Sequence, residues 1–541
     1  MLSDQLSSPY GQYVTRNARI FTSTPTNGNS NLKIELKKFP AGQDYNEYLN
    51  QLRSACDQGL TDAFDVVMLE ATVLGEFADC LVDLSAWDAK MTDGFATQVI
   101  ANSYVNKRLV SLPTEVDFGV MFFNNDVLEK YSSGGPPTNF DEIESKSDAV
   151  LRAMRAVDNY GFSGFTGQLR EYLTAQVAEW LAGYNKSMIV DTKTGLVAIE
   201  TNSAARVINR VSTWTGINII DPSDFTLDAA PLYLTPSQID NLIDLDASLA
   251  RFVNERSLFL RHWASTYYVL LKNSISFGWG VGPVVGWDAS QNVGALGGWG
   301  VGVFKYSDNP AAAVKVASWL ASNQMQRGAI TTDKIKKIPS RTNLYNDKDV
   351  CKVLDQDICD LARNVQFAIR PSSLVGRHYA NVTKMISSQM ATFFLTPETI
   401  VEALTQLSID LHTELGQPRT GGAININPPA PGKTVPSHMQ IQLMGLCGVI
   451  LVSCTVIYLT KRKQIDENIK EAGDKLKVLA QTAKQEVIMK TQKRADLDFG
   501  ANEFTHLDEE MDEDDKKVGL AKKGAQPGYS AVKEAEKDDF V

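Results

Sequence analysis

Histidine is scarce: five residues in 541, scattered at 262, 378, 412, 438 and 506, with no His-Glu-x-x-His run. The six cysteines contain no Cys-x-x-Cys pair. Zinc chemistry and thioredoxin-like redox chemistry therefore lack their usual ligands, and no metal or cofactor is expected. Basic residues are outnumbered, 53 against 64 acidic, for a net charge of −11. A nucleic-acid binder would carry a basic face, so nucleic acid is not expected as a partner. Two glycine-rich runs begin at Gly278 and Gly297, but neither fits the phosphate-loop spacing GxxxxGKT. No Ser/His/Asp spacing stands out, no internal repeat is visible, and an enzyme is not expected. The first 20 residues include Asp4 and lack the apolar run of a signal peptide. An exported body is therefore expected to have an incomplete start here.

Against these absences stand a folded body and a membrane signal. Apolar residues make up 43% and charged residues 22%, enough to bury a core. All eight tryptophans precede residue 461, whereas 35 of the 81 residues from Lys461 to Val541 are charged. Between body and tail, Ile441–Thr460 runs 20 residues without a charge. A helix of that length is about 30 Å long and spans a hydrocarbon core. Lys461-Arg462-Lys463 follows at once, which places the tail in the cytosol and residues 1–440 outside a cell membrane, in a single pass. Gly416–His438, with five prolines and four glycines, reads as a stalk.

Cys447 and Cys454 fall in the span; Cys56, Cys80, Cys351 and Cys359 remain for the outer body. Four cysteines allow three connectivities, of which Cys56–Cys80 with Cys351–Cys359 is the local one. Two glycosylation sequons, at Asn185 and Asn381, also precede the span.

Along the body, Asn31–Phe39 alternates as a strand does, Tyr45–Cys56 is helical, and Phe64–Leu69 is a short apolar run of the kind buried in parallel sheets. Helical patterns cover Glu171–Ala182, Ser203–Thr215, Leu249–Leu271, Pro310 to about Met325, and Thr396 to about Leu415. Strands are expected at Arg108–Pro113 and Gly119–Phe123. The alternation points to an α/β architecture with a mostly parallel sheet.

Six segments in order carry a resemblance: FDVVMLEATVLGEFADCLVDLSAW, LPTEVDFGVMFFNNDVLEKY, PPTNFDEIE, FLRHWASTYYVLL, GALGGWGVGVFKYSDNPAAAVKVASWLAS and KIPSRTNLYND. The chain resembles the extracellular solute-binding proteins of bacterial sugar importers, of the maltose/trehalose-binding group, over about residues 31–415. The resemblance implies a periplasmic-binding-protein type II fold: two α/β lobes around a hinge, with sugar in the cleft. It divides the chain into an unassigned 1–30, a first lobe of about 31–116 and 290–330, and a second of about 120–285 and 335–415. The stalk takes 416–440, the span 441–460 and the tail 461–541.

It also implies site residues. Trp299 and Trp263 match stacking positions, the latter read as lying on a helix. Asp117 matches a hinge carboxylate, Arg370 an arginine facing the cleft, and Gln168 and Tyr172 the lining of the second lobe. Glu70 ends the FDVVML strand, where the family usually has Asp. Aromatic faces suit the C–H face of a sugar ring, and carboxylates and Arg suit its hydroxyls. Two departures stand out: Glu115 occupies a position where an aromatic is common, and the family's first central strand and long helix are not found in residues 1–30. The expected role is a membrane-anchored, extracellular oligosaccharide-binding protein for capture and transport, with a transporter or a cytosolic partner of the tail. The alternatives are a sugar-sensing receptor ectodomain and a non-binding surface protein on a degenerate fold.

Overall fold

The computed structural model describes residues 8–23, 32–37, 45–157, 161–168, 170–217, 219–225, 247–396, 399–419 and 424. The expected span and tail, and most of the expected stalk, lie outside the described residues. No helix among the described residues is long and apolar enough to cross a membrane.

Two long strands organise the body. β4 (Leu112–Asn124) and β8 (Val293–Val303) pair antiparallel from Leu112–Val301 to Phe118–Leu296. One end of β8 pairs with β1 (Val66–Glu70), and its other end pairs in parallel with β9 (Gln366–Ala368). The far half of β4 is flanked by β6 (Ser257–Trp263) and β7 (Trp279–Pro283), and β6 pairs in parallel with β5 (Ser163–Phe165). A small separate ribbon joins β2 (Tyr104–Val105) to β3 (Arg108–Leu109).

The apolar cores divide along these strands. Leu112, Val301 and Val303 belong to a first core with the Pro9–Ser23 and Pro310–Leu320 helices, beside the packing of β1 on the Tyr45–Gln58 helix. Phe118, Val120, Phe122 and Leu296 belong to a second, beside the larger core around Trp214 and Phe259. Both long strands therefore leave one lobe and enter the other. The change falls between Leu112 and Val116 on β4 and between Leu296 and Val301 on β8. The second crossing lies inside β8, rather than before residue 290 where the sequence reading drew it. Gly298 makes the crossing possible. Its φ is +114°, and a Cβ there would lie 2.5 Å from Glu115 O and 2.7 Å from Val116 Cα. Opposite it, the β4 register shifts between Pro113 and Glu115.

The structure corrects several expectations. Residues 1–30 are not without structure: Pro9–Ser23 is a helix that buries Tyr10, Tyr13, Val14 and Ala18. Ser8 caps it, Tyr13 donates to Met325 O at 2.9 Å, and Phe21 stacks on Trp319 at 4.7 Å. Its polar residues thin the apolar stripe to one narrow face, so the helical period is weak in the sequence. The implied first central strand is not among the described residues. Leu32–Lys37, expected as part of a strand, forms neither helix nor strand and joins no described ladder; it lines a groove of about 560 Å³ whose other wall includes Val66 and Met68.

The sheet is mixed rather than mostly parallel. The β1–β8, β4–β6, β4–β7 and β4–β8 pairs are antiparallel, because α/β alternation says nothing of the direction of strands that cross between lobes. The expected helix 249–271 is three elements: a helix Ala247–Val253, strand β6, and a helix Thr266–Lys272. Its middle, Ser257–Trp263, is buried on both faces, so neither a helical nor a strand period shows there, and the break comes at Glu255 with φ +57°. Of the two strands expected on either side of Thr114–Phe118, the first divides between β3 and the start of β4, and the second is the continuation of that same β4.

Both local cysteine pairs are bonded, with Cα–Cα separations of 5.7 Å for Cys56–Cys80 and 5.8 Å for Cys351–Cys359. Asn185 sits exposed in a turn. Asn381 is exposed on the Tyr379–Leu395 helix, its Nδ2 donating to Glu414 at 2.9 Å.

Candidate functional site

The hinge gathers one row of side chains. Glu70 on β1 stands opposite Trp299 on β8, and Trp299 stands opposite Glu115 on β4. Directly opposed residues project from the same face of a sheet, so the indole lies between two carboxylates. Trp299 is half-buried; it packs on the first lobe, with Tyr45 edge-on at 5.0 Å. Its carbonyl accepts from Thr114 Oγ1 at 3.1 Å.

Two pairs further along the same ladder, Asp117 faces Gly297. The absent side chain makes room for a second indole: a Cβ on Gly297 would lie 3.0 Å from Cζ3 of Trp263. Trp263 is half-buried at the end of β6, not on a helix, and pairs with Gly119. Cations flank it, with Arg261 4.6 Å and Arg370 5.1 Å from its ring centre.

The carboxylates differ in their ties. Asp117 accepts from Phe118 N–H at 2.9 Å, Ser265 N–H at 3.1 Å and Ser265 Oγ at 2.6 Å. Burial still wins over these bonds and pushes its carboxyl up to about 6. Glu70 accepts from Thr72 N–H at 3.0 Å, while its own N–H donates to the Tyr45 hydroxyl at 3.1 Å. Burial, with the nearby Glu171 charge, pushes its carboxyl up to about 7 although Arg370 draws it down. Glu115 is engaged by Lys337 at 2.6 Å, and that ammonium lies 4.2 Å from the Tyr10 ring centre.

Arg370 is 4% exposed, and protein groups already hold its guanidinium. Nε and Nη2 donate to Leu296 O at 3.2 and 2.9 Å, Nη1 to Glu171 at 2.6 Å, and Nη2 to Glu70 at 3.3 Å. Tyr172 is half-buried on the Arg170–Ala182 helix, its ring 5.5 Å from that of His262. Gln168 is 3% exposed, and its amide nitrogen reaches Arg261 O at 2.9 Å and Ser248 Oγ at 3.3 Å.

The structure thus brings Trp299, Trp263, Asp117, Glu70 and Arg370 to one hinge, leaves Tyr172 against His262, and sinks Gln168 into the second lobe. Such a set has two half-buried indole faces for an apolar ring face and carboxylates for hydroxyl donors. Among the described residues, no cluster of His, Cys, Asp and Glu could hold a metal ion.

Sequence reasoning passed over Glu171, Tyr45 and Lys337. Glu171 had a usable signal. The helix that carries it is apolar on nearly every face, and a carboxylate inside such a helix needs a buried partner. The same holds for Glu179, two turns on, which pairs with Arg261 at 2.6 Å with both side chains 1% exposed.

Comparison with known proteins agrees with this architecture. Residues 27–353 match the family described as bacterial extracellular solute-binding protein. A probable ABC transporter-binding protein of Deinococcus radiodurans is 26% identical over 333 residues, covering 60% of this chain and 73% of its own. Among solved structures, maltose-bound T. maritima MalE3 has a TM-score of 0.56 at 20% identity, covering 75% of this chain and 97% of its own. The sugar-binding protein MalE from Xanthomonas citri has a TM-score of 0.60 at 16% identity, covering 76% and 95%. The cyclic alpha-maltosyl-1,6-maltose binding protein from Arthrobacter globiformis has a TM-score of 0.60 at 14% identity, covering 76% and 97%. These likenesses establish the two-lobed periplasmic-binding-protein fold. Since the profile match spans more than half the chain, this protein belongs to the bacterial extracellular solute-binding proteins, a family that binds solutes rather than transforming them.

Proposed function

We propose that the protein captures an oligosaccharide at the hinge and closes its lobes over it, as the binding component of sugar uptake. The carrying observation is that two half-buried indoles share one stretch of β8: Trp299 itself, and Trp263 set against Gly297 two residues away. Trp299 is held by the first lobe, and Trp263 reaches Gly297 from the second. An indole on each side of a cleft suits stacking on successive sugar rings, and Asp117 and Glu70 supply acceptors for their hydroxyls. The solved relatives named for maltose and cyclic maltosyl-maltose support a glucose oligomer as the first candidate. The chain is held at a membrane by Ile441–Thr460, with the body outside and the tail in the cytosol.

The test is calorimetric titration of the full chain, in lipid nanodiscs, with maltose, maltotetraose and cyclic glucose oligomers. Saturable binding to at least one is expected. Heats indistinguishable from dilution across the whole panel would overturn the reading and favour a non-binding surface protein.

A further inference from the structure

The short run Gln366–Gly376 starts as β9 on the second-lobe end of β8 and goes on to touch the first lobe. At its start stands Gln98 of the Thr97–Ala101 helix, whose Ile100 packs on the first core while Val99 enters the second, and its amide acts as a neighbouring strand would. Phe367 N–H donates to Gln98 Oε1 at 3.3 Å, and Gln98 Nε2 reaches Phe367 O at 3.5 Å. In the middle stands Arg370. Leu296 O, on the second-lobe part of β8, and Glu171 fix its guanidinium, and the same guanidinium then meets Glu70 at the end of the first lobe's β1. Tyr379 and Thr383, from the second lobe, donate their hydroxyls to Glu171 and hold it in place.

At the end of the run, Gly75 and Gly376 pack back to back. A Cβ on Gly75 would lie 2.3 Å from Ser372 O and 2.9 Å from Gly376 Cα. Gly376 itself has φ +59°, a conformation that favours glycine. So close an approach of two backbones leaves no room for any side chain at position 75 while the lobes are apposed.

We propose that Gln366–Gly376 is an interlobe strap, whose Arg370 is a positioning residue that clamps Glu70 of one lobe to Glu171 of the other and favours the apposed lobes before any sugar arrives. Ion pairs buried from water often break even against their desolvation, so charge alone does not make the clamp. Its strength comes from order: three of the guanidinium's donations are made within the second lobe, and apposition adds the fourth without fresh immobilisation. The length of Glu70 matters as well. An aspartate at this position would stop one methylene short of Arg370.

The inference rests on the closing-lobe reading, but it is tested without sugar. Spin labels are placed on the exposed Lys90→Cys in the first lobe and Asp148→Cys in the second, in the full chain, and the distance distribution is recorded. In the otherwise wild-type protein the shorter distance should dominate without ligand. Glu70→Asp, Gln98→Ala and Gly75→Ala should each lower the ratio of apposed to open forms, Glu70→Asp by about tenfold, the low end for one charge-assisted hydrogen bond. Thermal unfolding checks that each variant is folded. Should Gly75→Ala not fold, Glu70→Asp and Gln98→Ala carry the test. Ligand-free distributions unchanged in every folded variant would overturn the strap. Shifted distributions in a protein that binds no sugar would keep the strap and remove the oligosaccharide reading.

Discussion

Gly297 and Trp263 are in contact across the hinge, with a Cβ on the glycine falling 3.0 Å from the indole's Cζ3. The small residue sets where the second lobe's aromatic face can lie. Gly297→Val should push the indole off the β8 backbone and weaken sugar binding about tenfold or more, with a smaller effect on folding. Titration beside thermal unfolding separates the two; unaltered affinity would remove Trp263 from the site.

Trp299 is the aromatic face on the first-lobe side. Trp299→Ala should cost about 2 kcal/mol or more of binding, the size of an aromatic hot spot. Trp299→Phe should recover part of the loss, since stacking tolerates a smaller ring. Affinity that survives Trp299→Ala would mean that the sugar lies elsewhere.

The carboxyls of Glu70 and Asp117 are both raised on folding, from 4.5 to about 7 and from 3.8 to about 6. A raised group keeps protons in the folded state that the unfolded chain has already released. Stability from this source is therefore full below about pH 4 and is lost as pH rises towards 7. Denaturant unfolding between pH 4 and 8 should show that fall, and Glu70→Gln should flatten its upper part. Equal slopes in wild type and Glu70→Gln would contradict the environment described for Glu70.

Arg261 and Glu179 form a fully buried pair in which Glu179 Oε1 also accepts from Ala295 N–H at 2.7 Å. Glu179→Ala strands a buried guanidinium and should destabilise the fold by about 3–5 kcal/mol. Replacing both partners, as Glu179→Leu with Arg261→Met, should cost less than Glu179→Ala alone. A double variant less stable than the single one would refute this account of the pair.

The proposed topology, with Lys461-Arg462-Lys463 on the cytosolic side, expects a tag after Val541 to be reachable only in permeabilised cells. In the same cells, thiol labelling of the denatured, unreduced body should leave Cys56, Cys80, Cys351 and Cys359 unmodified. Tag accessibility in intact cells would reverse the proposed topology.

Much of the body was legible along the chain because its causes are local. The helical pattern over Ser203–Thr215 is the helix Asn202–Gly216, which Thr201 caps by accepting from Ala204 N–H. The Val66–Glu70 run is apolar enough to be a strand in any register. Cys351 and Cys359 are close enough in sequence to meet without knowledge of the fold, and ordered motifs pointed to two lobes around a hinge at Asp117. What each polar side chain does was decided elsewhere. Arg370 and Glu70 are 300 residues apart in sequence, and only the apposition of lobes makes them partners. Gln168 and Tyr172, read together as lining, part company because one sinks beneath β6 and the other stays at the surface of its helix. Trp263 became a strand residue because β6 is buried between β4 and β5, a demand of the sheet that no window of apolar residues contains. Sequence states which groups are available. Burial, and the hydrogen bonds that burial enforces, decide which of them remain to meet a ligand.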